Sequence, residues 1–142
     1  MYNGFILISN KELKIAKPLF SKVDIVSYDV TDWQRAKKFY SETLGLPVAE
    51  FYGDEVRWME FGEKAGTHLA ISKWLEDRPM PKSMGGVTVV FMVPDAYETV
   101  KELRSRGVHC EDVVPVPGMV TYANFFDPDG NKLQVAGPAP VE

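Results

Sequence analysis

The chain of 142 residues has the length of one ordinary domain, and its 45% hydrophobic and 25% charged residues are typical of a folded globular protein. The chain has 16 basic and 20 acidic residues and a net charge of −4. Proteins that bind a nucleic-acid backbone usually carry a positive charge instead. The single cysteine, Cys110, excludes an intrachain disulfide and multi-cysteine metal sites, and two histidines exclude a three-histidine metal site.

No apolar segment is long enough to span a bilayer. The longest run, Val87 to Val93, has the length of a strand, and the apolar residues Phe5 to Ile8 lack the basic flank and the length of a secretory signal. The sequence therefore predicts no membrane or nucleic-acid partner, a reduced thiol and a cytoplasmic location.

The chain matches itself at an offset of about 63 residues, which indicates an internal duplication. Matching residues keep their order: Asp32 with Asp95, Gly45 with Gly107, Trp58 with Tyr122, Glu60 with Asn124, Phe61 with Phe125 and Gly66 with Gly130. An ordered series of this kind predicts two copies of one structural unit.

Each copy contains the same series of elements. In the first, alternation predicts a strand over 23–30, and apolar residues at helical spacing predict a helix that begins after Thr31 or Asp32 as N-cap and ends at Gly45. Three short strands follow, at 48–52, 57–61 and 67–72.

The second copy repeats the order strand, helix, strands. A strand is predicted over 87–93, a helix between the N-cap Asp95 and Gly107, and strands over 113–116, 121–126 and 132–136. The predicted fold is therefore α+β, with two tandem βαβββ units, at 23–72 and 86–137, that form one cupped mixed-sheet domain over 23–137. Residues 1–22 are predicted as an N-terminal extension and residues 73–85 as a linker loop.

Three motifs carry a resemblance to a known family. Asp29-Val30-Thr31-Asp32, Phe39-Tyr40 followed by Leu44-Gly45-Leu46, and Phe126-Asp127-Pro128-Asp129-Gly130-Asn131 resemble the vicinal oxygen chelate superfamily, which includes glyoxalase I, bleomycin-resistance proteins, fosfomycin-resistance enzymes and extradiol dioxygenases. The resemblance covers residues 23–137. It implies that the paired units curl into a cup around a ligand and that the chain forms a homodimer.

The resemblance also locates the positions of the family's metal ligands. They fall on Ile25, Ala70, Thr88 and Gln134. Isoleucine and alanine have no donor atom and threonine is a weak neutral one, so only Gln134 could hold a metal. The resemblance therefore implies that the usual metal centre is absent, and we predict no metal and no cofactor.

Strand alternation predicts which side chains line the cup, although a bulge would reverse the assignment. The predicted ligand-binding residues are Ser27, Asp29, Trp58, His68, Thr88, Met92, Tyr122, Asn124 and Gln134. Glu60 is the candidate general base, because apolar surroundings beside Trp58 would raise the pKa of its carboxyl.

Each of these residues also has a structural interpretation. Glu60 could be a solvated or salt-bridged residue at the sheet rim, His68 a structural residue at a strand end, and Trp58 and Tyr122 ordinary core aromatics. A displaced metal site made of Glu60, His68 and Gln134 is a further alternative.

Our leading hypothesis is a metal-independent protein that holds an amphipathic or aromatic small molecule in the cup. The first alternative is a glyoxalase-like lyase or isomerase, or a dioxygenase-related enzyme, with Glu60 as base and a non-standard site that could include a metal. The second is a structural or regulatory domain whose cup is vestigial.

Overall fold

The computed structural model describes residue 19, residues 22–73 and residues 87–141. The predicted N-terminal extension and linker loop therefore lie almost entirely outside the described residues, as does Trp74.

The first unit folds as one helix on a four-stranded mixed sheet. Strand β1 (Ile25–Asp29) leads into helix α1 (Trp33–Lys38), which continues as a π-helical turn over Phe39–Thr43, and then come β2 (Val48–Phe51), β3 (Trp58–Phe61) and β4 (His68–Ser72). The strand order is β1-β4-β3-β2, with β1 parallel to β4 and the other neighbours antiparallel.

The second unit repeats this plan. Strand β5 (Val89–Met92) and helix α2 (Ala96–Ser105) precede β6 (His109–Cys110), β7 (Val114–Val116), β8 (Val120–Phe126) and β9 (Lys132–Gly137). The order is β5-β9-β8-β6, with β7 also paired to β8 and β5 parallel to β9. The predicted α+β fold of two tandem mixed-sheet units is thus confirmed. Strand β6 was not predicted, because two residues are too few to show alternation.

Matching caps explain why both helices begin where they do. The Asp32 carboxylate accepts a hydrogen bond from the Arg35 amide at 3.0 Å, and that of Asp95 accepts one from the Glu98 amide at 3.1 Å. Asp32, rather than Thr31, is therefore the N-cap of α1. The hydroxyl of Thr31 instead donates to Asp129 of the second unit.

The two units share one hydrophobic core, built from the sheet faces that carry the helices. It contains buried residues of both sheets and both helices, including Tyr28, Phe61, Ile71, Val100, Leu103, Phe125, Leu133 and Val135. The Tyr28 hydroxyl crosses between the units, since it donates to the Lys132 carbonyl at 2.8 Å and accepts from the Val89 amide at 3.1 Å. The other face of each sheet carries the predicted site residues.

The turn at 127–131 is the main polar link between the units. The buried Asp127 carboxylate accepts hydrogen bonds from the Tyr40 hydroxyl at 2.9 Å and from the Asn131 side-chain amide at 2.8 Å. The same Asn131 amide donates to the Asp29 carbonyl at 3.1 Å. Burial raises the pKa of both Asp127 and Tyr40, so this link is a desolvated polar cluster inside the core.

Within the described residues, no helix is both long and apolar enough to cross a membrane.

Candidate functional site

The open face of the first sheet is the face opposite α1, and it carries five of the predicted site residues. These are Ser27, Asp29, Trp58, Glu60 and His68. Strand pairing places Ala70 between Ser27 and Glu60, and Ser72 between Asp29 and Trp58. Strands β1, β3 and β4 pair without a bulge, so their side chains alternate regularly between the two faces of the sheet. These side chains therefore lie on the face that strand alternation predicted.

A hydrogen-bonded cluster of Trp58, Glu60 and His68 forms the centre of this face. The indole nitrogen of Trp58 donates to Glu60 Oε1 at 2.8 Å, and His68 Nδ1 lies 2.6 Å from Glu60 Oε2. Glu60 is 6% exposed. The structure therefore excludes the solvated alternative for this carboxylate and shows a buried, ion-paired one.

The environment of His68 favours its charged form. One ring nitrogen faces the Glu60 carboxylate, and the other lies 2.9 Å from the Glu63 carbonyl oxygen. Both partners are acceptors, so both ring nitrogens donate only when the imidazole is protonated. The hydrogen bond to Glu60 accordingly raises the pKa of His68, against the opposing effect of desolvation.

Ser72 is a member of this face that the sequence analysis did not single out. It is 2% exposed, and its hydroxyl oxygen has no hydrogen-bond partner within the described ranges. Buried hydroxyls are nearly always satisfied, so a buried hydroxyl without a partner among the described residues is unusual on this face. A serine at the end of an apolar strand gives no sequence signal of that kind.

The open face of the second sheet carries the other predicted residues. Met92 and Tyr122 flank Ala136, and Asn124 pairs with Gln134. The Gln134 amide donates to Asn124 Oδ1 at 3.0 Å. Thr88, predicted within a strand, precedes β5 and is half-buried.

Two clusters result, one on each sheet. Among the described residues, no hydrogen bond or ion pair connects the cluster around Glu60 with the pair formed by Asn124 and Gln134. The polar contacts between the units run instead through Tyr28 and the turn at 127–131.

The residues at the family's metal positions do not fit a divalent metal. Ile25 and Ala70 lack donor atoms, and the side-chain amide of Gln134 is bonded to Asn124. In the part of the chain that the structure describes, no three His, Cys, Asp or Glu side chains gather closely enough to hold a metal ion. The displaced site of Glu60, His68 and Gln134 stays a prediction; Glu60 pairs with His68 on the first sheet, and Gln134 bonds to Asn124 on the second.

Paired βαβββ units that share one hydrophobic core and carry polar and aromatic side chains on the sheet faces opposite the helices define a vicinal oxygen chelate type of fold. The family model described as "Glyoxalase/Bleomycin resistance protein/Dioxygenase superfamily" matches residues 22–135. The chain belongs to this superfamily.

Three relatives illustrate the range of the family. The uncharacterized protein YetH of Bacillus subtilis (strain 168) is 29% identical over 125 residues, which are 80% of this chain and 95% of YetH. TnmS3, an antibiotic binding protein from Streptomyces sp. CB03234, is 28% identical, with a TM-score of 0.67 over 87% of this chain and 100% of that one. A lactoylglutathione lyase from Agrobacterium tumefaciens, 17% identical with a TM-score of 0.63 over 82% and 93% of the two chains, shows the fold alone.

Proposed function

We propose that the protein binds an amphipathic or aromatic small molecule against the open face of the first sheet, without a metal ion. The observation that carries this proposal is the buried cluster of Trp58, Glu60 and His68 on a face where Ile25 and Ala70 occupy the family's metal positions.

The chemistry of this face suits a flat ligand with a polar group. The indole ring of Trp58 is half-buried and is oriented by its hydrogen bond to Glu60, which leaves its faces as stacking surfaces. Ala70 and Ser72 are buried beside Glu60 and Trp58, so small side chains back the cluster. Mostly apolar walls with a few placed polar groups are typical of ligand sites.

The similarity to TnmS3 supports a binding role, because that protein is described as antibiotic binding. A second structure from Streptomyces sp. CB03234, described as a glyoxalase/bleomycin resistance protein, is 29% identical with a TM-score of 0.62.

Truncating Trp58 tests the proposed site. We expect metal-free bleomycin or the dye 8-anilinonaphthalene-1-sulfonate to bind saturably by calorimetry, with the same affinity in EDTA. Trp58→Ala should weaken that binding by about 10–100-fold, the cost of losing a central aromatic anchor. Tyr97→Ala is the matched control, since Tyr97 is an exposed aromatic on α2. Equal losses in the two variants would contradict the site.

Metal independence has its own test. Protein purified without chelator is expected to contain no stoichiometric metal by elemental analysis and to show no thermal shift with Ni²⁺, Zn²⁺, Mn²⁺ or Fe²⁺. One metal ion per chain, with a shift of several degrees, would overturn this part of the proposal.

A second candidate function is a metal-free lyase or isomerase that uses the same cluster. The specific observation in its favour is that Glu60 and His68 form a desolvated carboxylate–imidazole pair at 2.6 Å, an arrangement that can hold and transfer a proton. Glu60 would then be the general base and His68 its positioning partner.

We also propose a cytoplasmic homodimer. Apolar side chains of the second unit, among them Val114 at 41% and Met119 at 47%, are exposed in the single chain, which supports contact with a second copy. Sedimentation equilibrium should give twice the chain mass of 16.0 kDa, whereas a monomer at micromolar concentration would contradict the dimer.

A further inference from the structure

A cavity of about 290 Å³ lies between the two units, on the helix side of the first sheet. Its apolar walls come from both halves of the duplication: Val26, Leu46, Phe61 and Leu69 from the first unit, and Val89 and Phe91 from the second. Neither Trp58 nor Tyr122 lines it, but His68 does, so the cavity adjoins the open-face cluster at that one residue.

The cavity has a closed floor and an open mouth. Phe61 is 2% exposed and Leu69 is 6% exposed, and these two residues form the floor. Thr67 and Val90 are exposed and lie at the mouth, where Val90 is 47% exposed. Protein cores are normally packed too densely to leave a space of this size. A small molecule could therefore enter from solvent and cover buried apolar surface.

The polar side chains at the rim are already engaged. The Thr67 hydroxyl donates to the Val23 carbonyl at 2.7 Å, and both ring nitrogens of His68 are paired with Glu60 and Glu63. These groups have no free donor for a ligand, so an acceptor atom that the ligand buried against the apolar walls would be unsatisfied. The site therefore selects an apolar molecule.

We propose that this cavity binds a small apolar molecule of about the size of a bicyclic aromatic. An apolar cavity of about 150 Å³ holds one benzene ring, so the volume here suits about two fused rings. The inference goes beyond the proposed function, because the two sites share only His68 and select ligands of different polarity.

Naphthalene is the probe, because it has two fused rings and no polar atom. In titrations of the full chain followed by ¹H–¹⁵N spectra, we expect saturable shifts of the amides of Val26, Leu69 and Val89. Val26→Phe and Val89→Phe each place a ring in the cavity and should abolish these shifts. Two filling variants are used so that misfolding of one, detected by circular dichroism, leaves the other informative.

Val56→Phe is the matched control, because Val56 is 50% exposed in the loop before β3 and does not line the cavity. It should bind naphthalene as the wild type does. The inference is overturned if the wild type shows no saturable shift up to the solubility limit, if both filling variants still bind, or if the shifts map to Trp58 and its neighbours. That last result would leave the open-face site standing and remove only this cavity.

Discussion

Asp127→Ala is expected to lower the free energy of unfolding by about 3–5 kcal/mol, the largest stability effect that we foresee for one substitution. The Asp127 carboxylate accepts four hydrogen bonds, from the Tyr40 hydroxyl, the Asp129 amide and both nitrogens of Asn131, at 2.8–2.9 Å. Its removal leaves the Tyr40 hydroxyl without its acceptor inside the core shared by the two units.

Urea unfolding monitored by tryptophan fluorescence measures this effect, and the melting temperature should fall by roughly 10 °C. Tyr40→Phe removes only one of the four hydrogen bonds and should cost about 1–3 kcal/mol. A double-mutant cycle between the two positions isolates their coupling.

Asp95→Ala is the matched control, because it removes the exposed N-cap of α2 and should cost about 1 kcal/mol. If Asp127→Ala costs no more than Asp95→Ala, the turn at 127–131 does not hold the units together.

Glu60→Gln is expected to lower any lyase or isomerase turnover at the open face by about 10²–10⁴-fold, the usual cost of losing a general base. The amide keeps the shape of the carboxylate. Its oxygen can still accept from Trp58, and its nitrogen can donate to a neutral His68, so the fold should be retained. Unchanged turnover, with the variant folded, would remove the enzyme alternative.

The same variant also tests the pairing of Glu60 with His68. The pKa of His68, measured by NMR, should lie above its ordinary value of about 6.5 in the wild type and fall in Glu60→Gln. His109 is the only other histidine and is exposed, so it is an internal control. A His68 pKa that Glu60→Gln does not change would contradict the ion pair.

The pair also makes stability depend on pH in a defined direction. Because the folded pKa of His68 is raised, its stabilising contribution is fully present below the ordinary pKa and is lost as the pH rises through the raised one. Glu60→Gln should remove most of this dependence near neutral pH.

Local patterns in the sequence determined the elements and their facing. Alternation in β1, β3 and β4 placed Trp58, Glu60 and His68 on one face, and capping carboxylates at Asp32 and Asp95 determined where both helices begin. The internal duplication predicted two mixed sheets, because two halves with the same order of strands and helix are expected to adopt the same fold. These features depend on neighbours in the chain, which is why they could be predicted.

Tertiary contacts decided the rest. The sequence assigned Asp127 only to a turn. In the structure its carboxylate links the two units, because it accepts a hydrogen bond from the Tyr40 hydroxyl, 87 residues away in sequence. Glu60 was predicted as a general base beside Trp58, and the structure places the His68 imidazole 2.6 Å from its carboxylate. Neither partner could be predicted from spacing, since strand alternation says which face a side chain occupies and not which atoms it meets there. The sequence by itself determined the fold and the absence of donor atoms at two of the four metal positions, Ile25 and Ala70. Only the packing of sheet, helix and turn decided which polar groups are buried together.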